Sequence, residues 1–169
     1  MLVRFCTLID VLNEWTGKIT AWLMLPLCFI VVYDVFLRYV LNKPTVWAWD
    51  LNTQMLGLMV ALGGGYAFLY GSHVGVDVFV VYLSKKGQIF VELITSTFFF
   101  IGIGVLSSVA IKQAWISVKT MEIDSTFFAP PVYPLKVLIA AGFLLLLLQG
   151  FSNFIRGIVA LRAREEDNT

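Results

Sequence analysis

Residues 19–41 read ITAWLMLPLCFIVVYDVFLRYVL, an apolar run whose only charges are Asp34 and Arg38. Crossing roughly 30 Å of hydrocarbon at about 1.5 Å per residue takes about 20 mostly apolar residues. This run is long enough, and it predicts a membrane-spanning helix. Three further segments qualify: 46–70 (VWAWDLNTQMLGLMVALGGGYAFLY), 89–111 (IFVELITSTFFFIGIGVLSSVAI) and 137–155 (VLIAAGFLLLLLQGFSNFI). The second is the most polar at its start, where Asp50, Asn52 and Gln54 crowd together.

Composition agrees. The 169 residues are 59% hydrophobic and 14% charged, against about 25% charged in an average soluble domain. A soluble domain of this size could not cover so much apolar surface. The net charge of +1 leaves no electrostatic footprint for nucleic acid. Two cysteines, Cys6 and Cys28, are too few for a disulfide framework, and both are expected to be reduced.

The N-terminus is different. In residues 2–18, Leu2, Phe5, Leu8, Ile9, Leu12 and Trp15 recur at helical spacing, while Arg4, Thr7, Asp10, Glu14 and Lys18 fall on the other face. That pattern suits an amphipathic helix lying in the membrane interface. A signal peptide fits less well, because acids interrupt its positive region and no A-x-A-like site follows the apolar stretch. The sequence therefore predicts an all-α membrane protein with an interfacial helix (1–18), a four-span domain (19–155) and a charged tail (156–169).

Orientation follows the loop lysines and arginines. Arg4, Lys18, Lys85, Lys86, Arg156, Arg162 and Arg164 fall on one side, and Arg38, Lys43, Lys112, Lys119 and Lys136 on the other. The bias puts both termini in the cytoplasm. Aromatic residues support the span ends: Trp15, Trp22, Tyr70 and Tyr82 near one boundary, Tyr39, Trp47, Trp49, Trp115 and Tyr133 near the other. The loop from Lys112 to Lys136 is the longest piece on the far side, and its FFAPPVYP favours extended backbone.

Four charged residues fall well inside the spans: Asp34, Arg38, Asp50 and Glu92. Charges at that depth are costly and usually face protein or water. Asp34 and Arg38 are four apart and share a helix face. The short connection NKPT makes the first two spans antiparallel neighbours, so Arg38 and Asp50 lie at similar depth and can meet across the hairpin. A proton or ion relay is one reading; a structural clamp is the preferred one. Glu92, one turn inside the third span, can reach cytoplasmic water or a partner subunit.

The stretch GGGYAFLYGSHVGVDVFVVYLSKK (63–86) holds the chain's single histidine, His73, with Asp77 four residues on. It reads as an interfacial corner: Gly71 permits a bend, and His73 and Asp77 anchor at headgroup level. Ala61 with Gly65, and Gly104 with Ser108, have the small-xxx-small spacing of close helix packing. Catalytic constellations are missing. One histidine cannot ligate a haem from both sides, His73, Cys6 and Cys28 are too scattered for a metal site, and there is no phosphate-binding glycine loop.

Three stretches, RYVLNKPTVWAWDLN, GGGYAFLYGSHVGVDVFVVYLSKKG and PPVYPLKVLIAAGFLLLLLQG, together resemble the small membrane subunit of tripartite ATP-independent periplasmic (TRAP) transporters. The likeness runs from about Asp34 to Arg156. Asp50 stands where glutamate is commoner in that family, and Gly75 where arginine is frequent. The resemblance implies a helical scaffold in the bacterial inner membrane. Its implied partners are a large membrane subunit, which carries the organic-anion and sodium sites, and a periplasmic substrate-binding protein, which the scaffold helps to receive. It implies no cofactor. Trp47, Asp50, His73, Asp77 and Glu92, with Asp34 and Arg38, are the structural or interface candidates. The rivals are an autonomous four-helix transporter using Glu92 or Asp34 as proton carrier, and a membrane anchor subunit of an enzyme complex.

Overall fold

Apolar runs in a bilayer must satisfy their own backbone hydrogen bonds, which favours helices. The computed structural model describes residues 2–70 and 85–166 and is helical over most of them. Among the described residues five helices follow in order: α1 (Leu2–Trp22), α2 (Met24–Val40), α3 (Ala48–Leu69), α4 (Lys85–Thr120) and α5 (Tyr133–Glu166). Among the described residues three helical stretches are long and apolar enough to cross a membrane: Arg4–Val40, Ile94–Thr120 and Tyr133–Arg156. The protein is therefore an all-helical, multi-pass membrane protein. At about 1.5 Å per residue, α3 also has the length, but Asp50, Asn52, Gln54 and a glycine triplet dilute its hydropathy.

The first helical stretch breaks at Leu23, not at the boundary expected after Lys18. Pro26 explains the place: it has no N–H to offer the Trp22 carbonyl. Leu23 N–H turns back to the Thr20 carbonyl at 3.0 Å, and the ladder resumes from Leu27 to Leu23 at 3.2 Å. On α1 the inward face is Cys6, Ile9, Asn13, Gly17 and Thr20, all buried. Phe5, Leu8, Leu12, Trp15, Ile19 and Trp22 are exposed. Most of the apolar stripe seen in the sequence thus points away from the protein; among its described side chains Ile9 alone is buried.

α4 continues to Thr120, so the loop expected over 112–136 contracts to 121–132. A left-handed Met121 (φ 48°) ends α4. Its N–H bonds the Val118 carbonyl and that of Glu122 bonds the Ser117 carbonyl, at 3.4 and 3.0 Å. That is a Schellman cap. The loop closes on itself through Asp124 N–H to Pro130 and Val132 N–H to Glu122. Pro134 is tolerated in the first turn of α5, where no intrahelical partner is needed.

Small residues set the helix packing. Gly57 faces Ile139, Gly142 lies against the Ala61 backbone, and Gly64 meets Leu146. Those matched steps make α3 and α5 run parallel. α4 lies on the other side of α5, joined by Ser107 Oγ donating to the Phe143 carbonyl at 3.3 Å. Phe100 packs there against Phe151 and Phe154, with centroids 4.8 and 5.9 Å away. Among the described residues α2 packs only on α3 and α1, and α4 only on α5. The result is an open row, α2–α3–α5–α4, with α1 laid against α3 and α5. Side chains alone join α3 to α4, where Phe68 stacks on Phe99 at 4.6 Å.

Candidate functional site: two polar clusters at opposite ends of α3

The first cluster holds the α2–α3 turn. Asp34 sits two turns before the end of α2, and its carboxylate reaches over the turn to Thr45. Oδ1 accepts from the Thr45 backbone N–H at 3.1 Å and from its hydroxyl. Oδ2 accepts from Arg38 at 2.7 Å. Asn42 takes a left-handed φ of 51°, a conformation that a short polar side chain tolerates. Trp47, half-buried, packs its ring against Tyr33 with centroids 6.3 Å apart.

The pairing of Arg38 with Asp50 expected across this hairpin does not form. Arg38 bonds Asp34 on its own helix. Asp50, 8% exposed, occupies the first turn of α3, and its Oδ2 has no hydrogen-bonding partner. The helix dipole favours a negative group in that first turn. The clamp at this turn is therefore Asp34 with Thr45. Similar depth did not decide the pairing; reach did, because a neighbour at i,i+4 is already in place.

At the same end, the α4–α5 loop is pinned by Lys136, which donates to both oxygens of Glu122, at 2.8 and 2.6 Å. The Lys136 ammonium holds the Glu122 carboxyl below its usual range. The loop presents Phe127, 91% exposed, at its tip.

The second cluster lies at the far end of α3 and was not foreseen from the sequence. Gln149 is fully buried and is the hub. Its Oε1 accepts from Asn13 at 2.7 Å; its Nε2 donates to Asp10 at 2.9 Å and to Asn153 at 3.2 Å. Asn153 in turn donates to the Phe68 carbonyl near the end of α3, at 3.2 Å. Arg156 pairs with the other oxygen of Asp10. Asp10 and Asn13 come from α1, Gln149, Asn153 and Arg156 from α5. The sequence signal was there in Asn13 and Gln149, polar residues spaced with small or apolar inward neighbours, but without a tertiary partner each reads as ordinary polarity.

Of the remaining candidates, His73 and Asp77 lie outside the described residues. Glu92 lies on α4, and its side chain is outside them too. Ala61 and Gly65 do mediate packing, as their spacing suggested. Gly104 faces open space, and Ser108 bonds its own helix at the Val105 carbonyl, 2.7 Å away. Among the described residues no three His, Cys, Asp or Glu side chains cluster to hold a metal.

Both clusters stitch helices together, and neither places a reactive group in a cleft. Against that background, residues 27–160 match the family described as Tripartite ATP-independent periplasmic transporters, DctQ component. No curated protein matches the chain. The match covers most of the sequence, and the chain belongs to this family of small TRAP transporter components.

Proposed function

We propose that this chain is the scaffold subunit of a sodium-coupled, binding-protein-dependent secondary transporter for small organic anions. In this reading it braces the large membrane subunit and helps dock the periplasmic substrate-binding protein. It sits in the bacterial inner membrane with both termini in the cytoplasm. The α2–α3 turn and the α4–α5 loop then face the periplasm, where the binding protein arrives. The family membership carries the choice of transporter.

The observation that supports a scaffold over a carrier is the open row. Among the described residues α2 and α4, at its two ends, do not pack on one another. Secondary transporters commonly place their sites between repeats, at discontinuous helices near the midplane. Here the polar clusters lie at the two ends of α3, where they fix helices and can receive partners.

Reconstitution tests the reading. In liposomes the chain alone should move no organic acid under a sodium or proton gradient. Adding the large subunit and the binding protein should restore uptake. Gradient-driven uptake by the chain alone, abolished by Glu92→Gln, would refute the scaffold reading.

A further inference from the structure

We infer that the polar cluster centred on Gln149 is a latch that holds α1 onto the helix row. Most of α1's bulky apolar side chains cannot do this, because Phe5, Leu8, Leu12, Trp15 and Ile19 are exposed. The surface α1 turns inward is small or polar: Cys6, Ile9, Asn13, Gly17 and Thr20. Lipid tails are as apolar as leucine, so no hydrophobic drive joins helices inside a bilayer; close fit and interhelical hydrogen bonds decide.

The fit is tight. Side chains at two glycines would collide with a neighbour, at Gly17 with the Tyr66 ring and at Gly65 with the Asn13 amide. The hydrogen bonds are few, and the shortest buried one passes through one hub. Gln149 joins Asn13 and Asp10 of α1 to α5, and through Asn153 to the end of α3. Remove Gln149, and the side-chain ties that remain between α1 and α5 among the described residues are a long bond from Asn13 to the Leu145 carbonyl, at 3.5 Å, and the partly exposed pair of Asp10 with Arg156. The bond from Ser107 of α4 to the Phe143 carbonyl of α5 shares no residue with this hub.

The latch therefore fixes α1 across α3 and α5 and holds the two parallel helices from the side. α1 precedes the family-matched residues, which begin at 27. This is a positioning role, and it stands whether or not the scaffold reading holds, because its readout needs no partner and no transport.

Cys6 reports the docked state directly. It lies on the inward face of α1 and is 2% exposed, while Cys28 is exposed. The full chain carrying Cys28→Ser, in lipid nanodiscs, is labelled with a membrane-permeant maleimide. Gln149→Leu should raise the Cys6 labelling rate about tenfold, the scale set by losing one or two interhelical hydrogen bonds. Ser107→Ala, on the other seam, should leave it unchanged. Hydrogen exchange read helix by helix should quicken in α1 and not in α4. An unchanged Cys6 rate in Gln149→Leu would overturn the latch. So would an equal rise in Ser107→Ala, or exchange quickened alike in every helix, because either would mean general loosening.

Discussion

Gly142 of α5 lies directly against the backbone of Ala61 of α3, so that a methyl at Gly142 would stand 2.5 Å from the Ala61 carbonyl oxygen. Backbone cannot yield as a flexible side chain does. Gly142→Ala should therefore force the two helices apart and cost about 1–3 kcal/mol. Gly104→Ala is the control: nothing lies within 4 Å, and the change should be neutral or stabilising by up to about 1 kcal/mol, from helix propensity. Thermal unfolding in detergent compares the two. Equal loss in both would mean that Gly142 is not a packing contact.

Asp34, not Asp50, should control the α2–α3 turn. Its carboxylate accepts from Thr45 twice and from Arg38 once. Asp34→Ala should speed hydrogen exchange at the Thr45 amide at least about fivefold, the equivalent of about 1 kcal/mol per hydrogen bond lost. Asp50→Asn should leave that amide nearly unchanged. The reverse order would restore the clamp between Arg38 and Asp50.

Met121 holds a left-handed φ of 48° at the end of α4, where glycine is the usual cap. Met121→Gly should stabilise the α4 terminus by up to about 1 kcal/mol, since glycine reaches that conformation without the steric cost. Slower exchange at the Glu122 amide, which closes the cap onto Ser117, is the measurement. Faster exchange would mean that the side chain of Met121, rather than its backbone, secures the cap.

The loop should loosen in acid. The folded-state pKa of Glu122 is lowered, first by the hydrogen bond from Lys136. A lowered carboxyl pKa stabilises the folded form above the unfolded value, about 4.3 for glutamate. That contribution disappears as pH falls through the lower folded value. Amide exchange at Val132, whose N–H bonds Glu122, should lose protection in that window. Lys136→Met should remove the pH dependence. A dependence that survives Lys136→Met would assign it to another group.

The sequence by itself determined the solvent and the element type. Apolar runs of spanning length leave no other environment for the chain, and in that environment helices follow from backbone hydrogen bonding. It also marked Ala61 and Gly65 as packing positions, because small residues at four-residue spacing lie on one helix face. The resemblance carried by its loop and span motifs named the family that the comparison then matched.

Only tertiary structure decided which polar groups meet. Asp34 took Thr45 and Arg38 although depth alone allowed Arg38 to reach Asp50. Asn13 and Gln149, 136 positions apart in the chain, became one buried cluster. α1 looked like a helix with one apolar and one polar face, yet it has a third face that binds protein, made of Asn13, Gly17 and Thr20. Periodicity shows which residues share a helix face. It carries no information on what lies opposite, because that depends on the crossing of helices far apart in sequence, here set by glycines that let backbones touch.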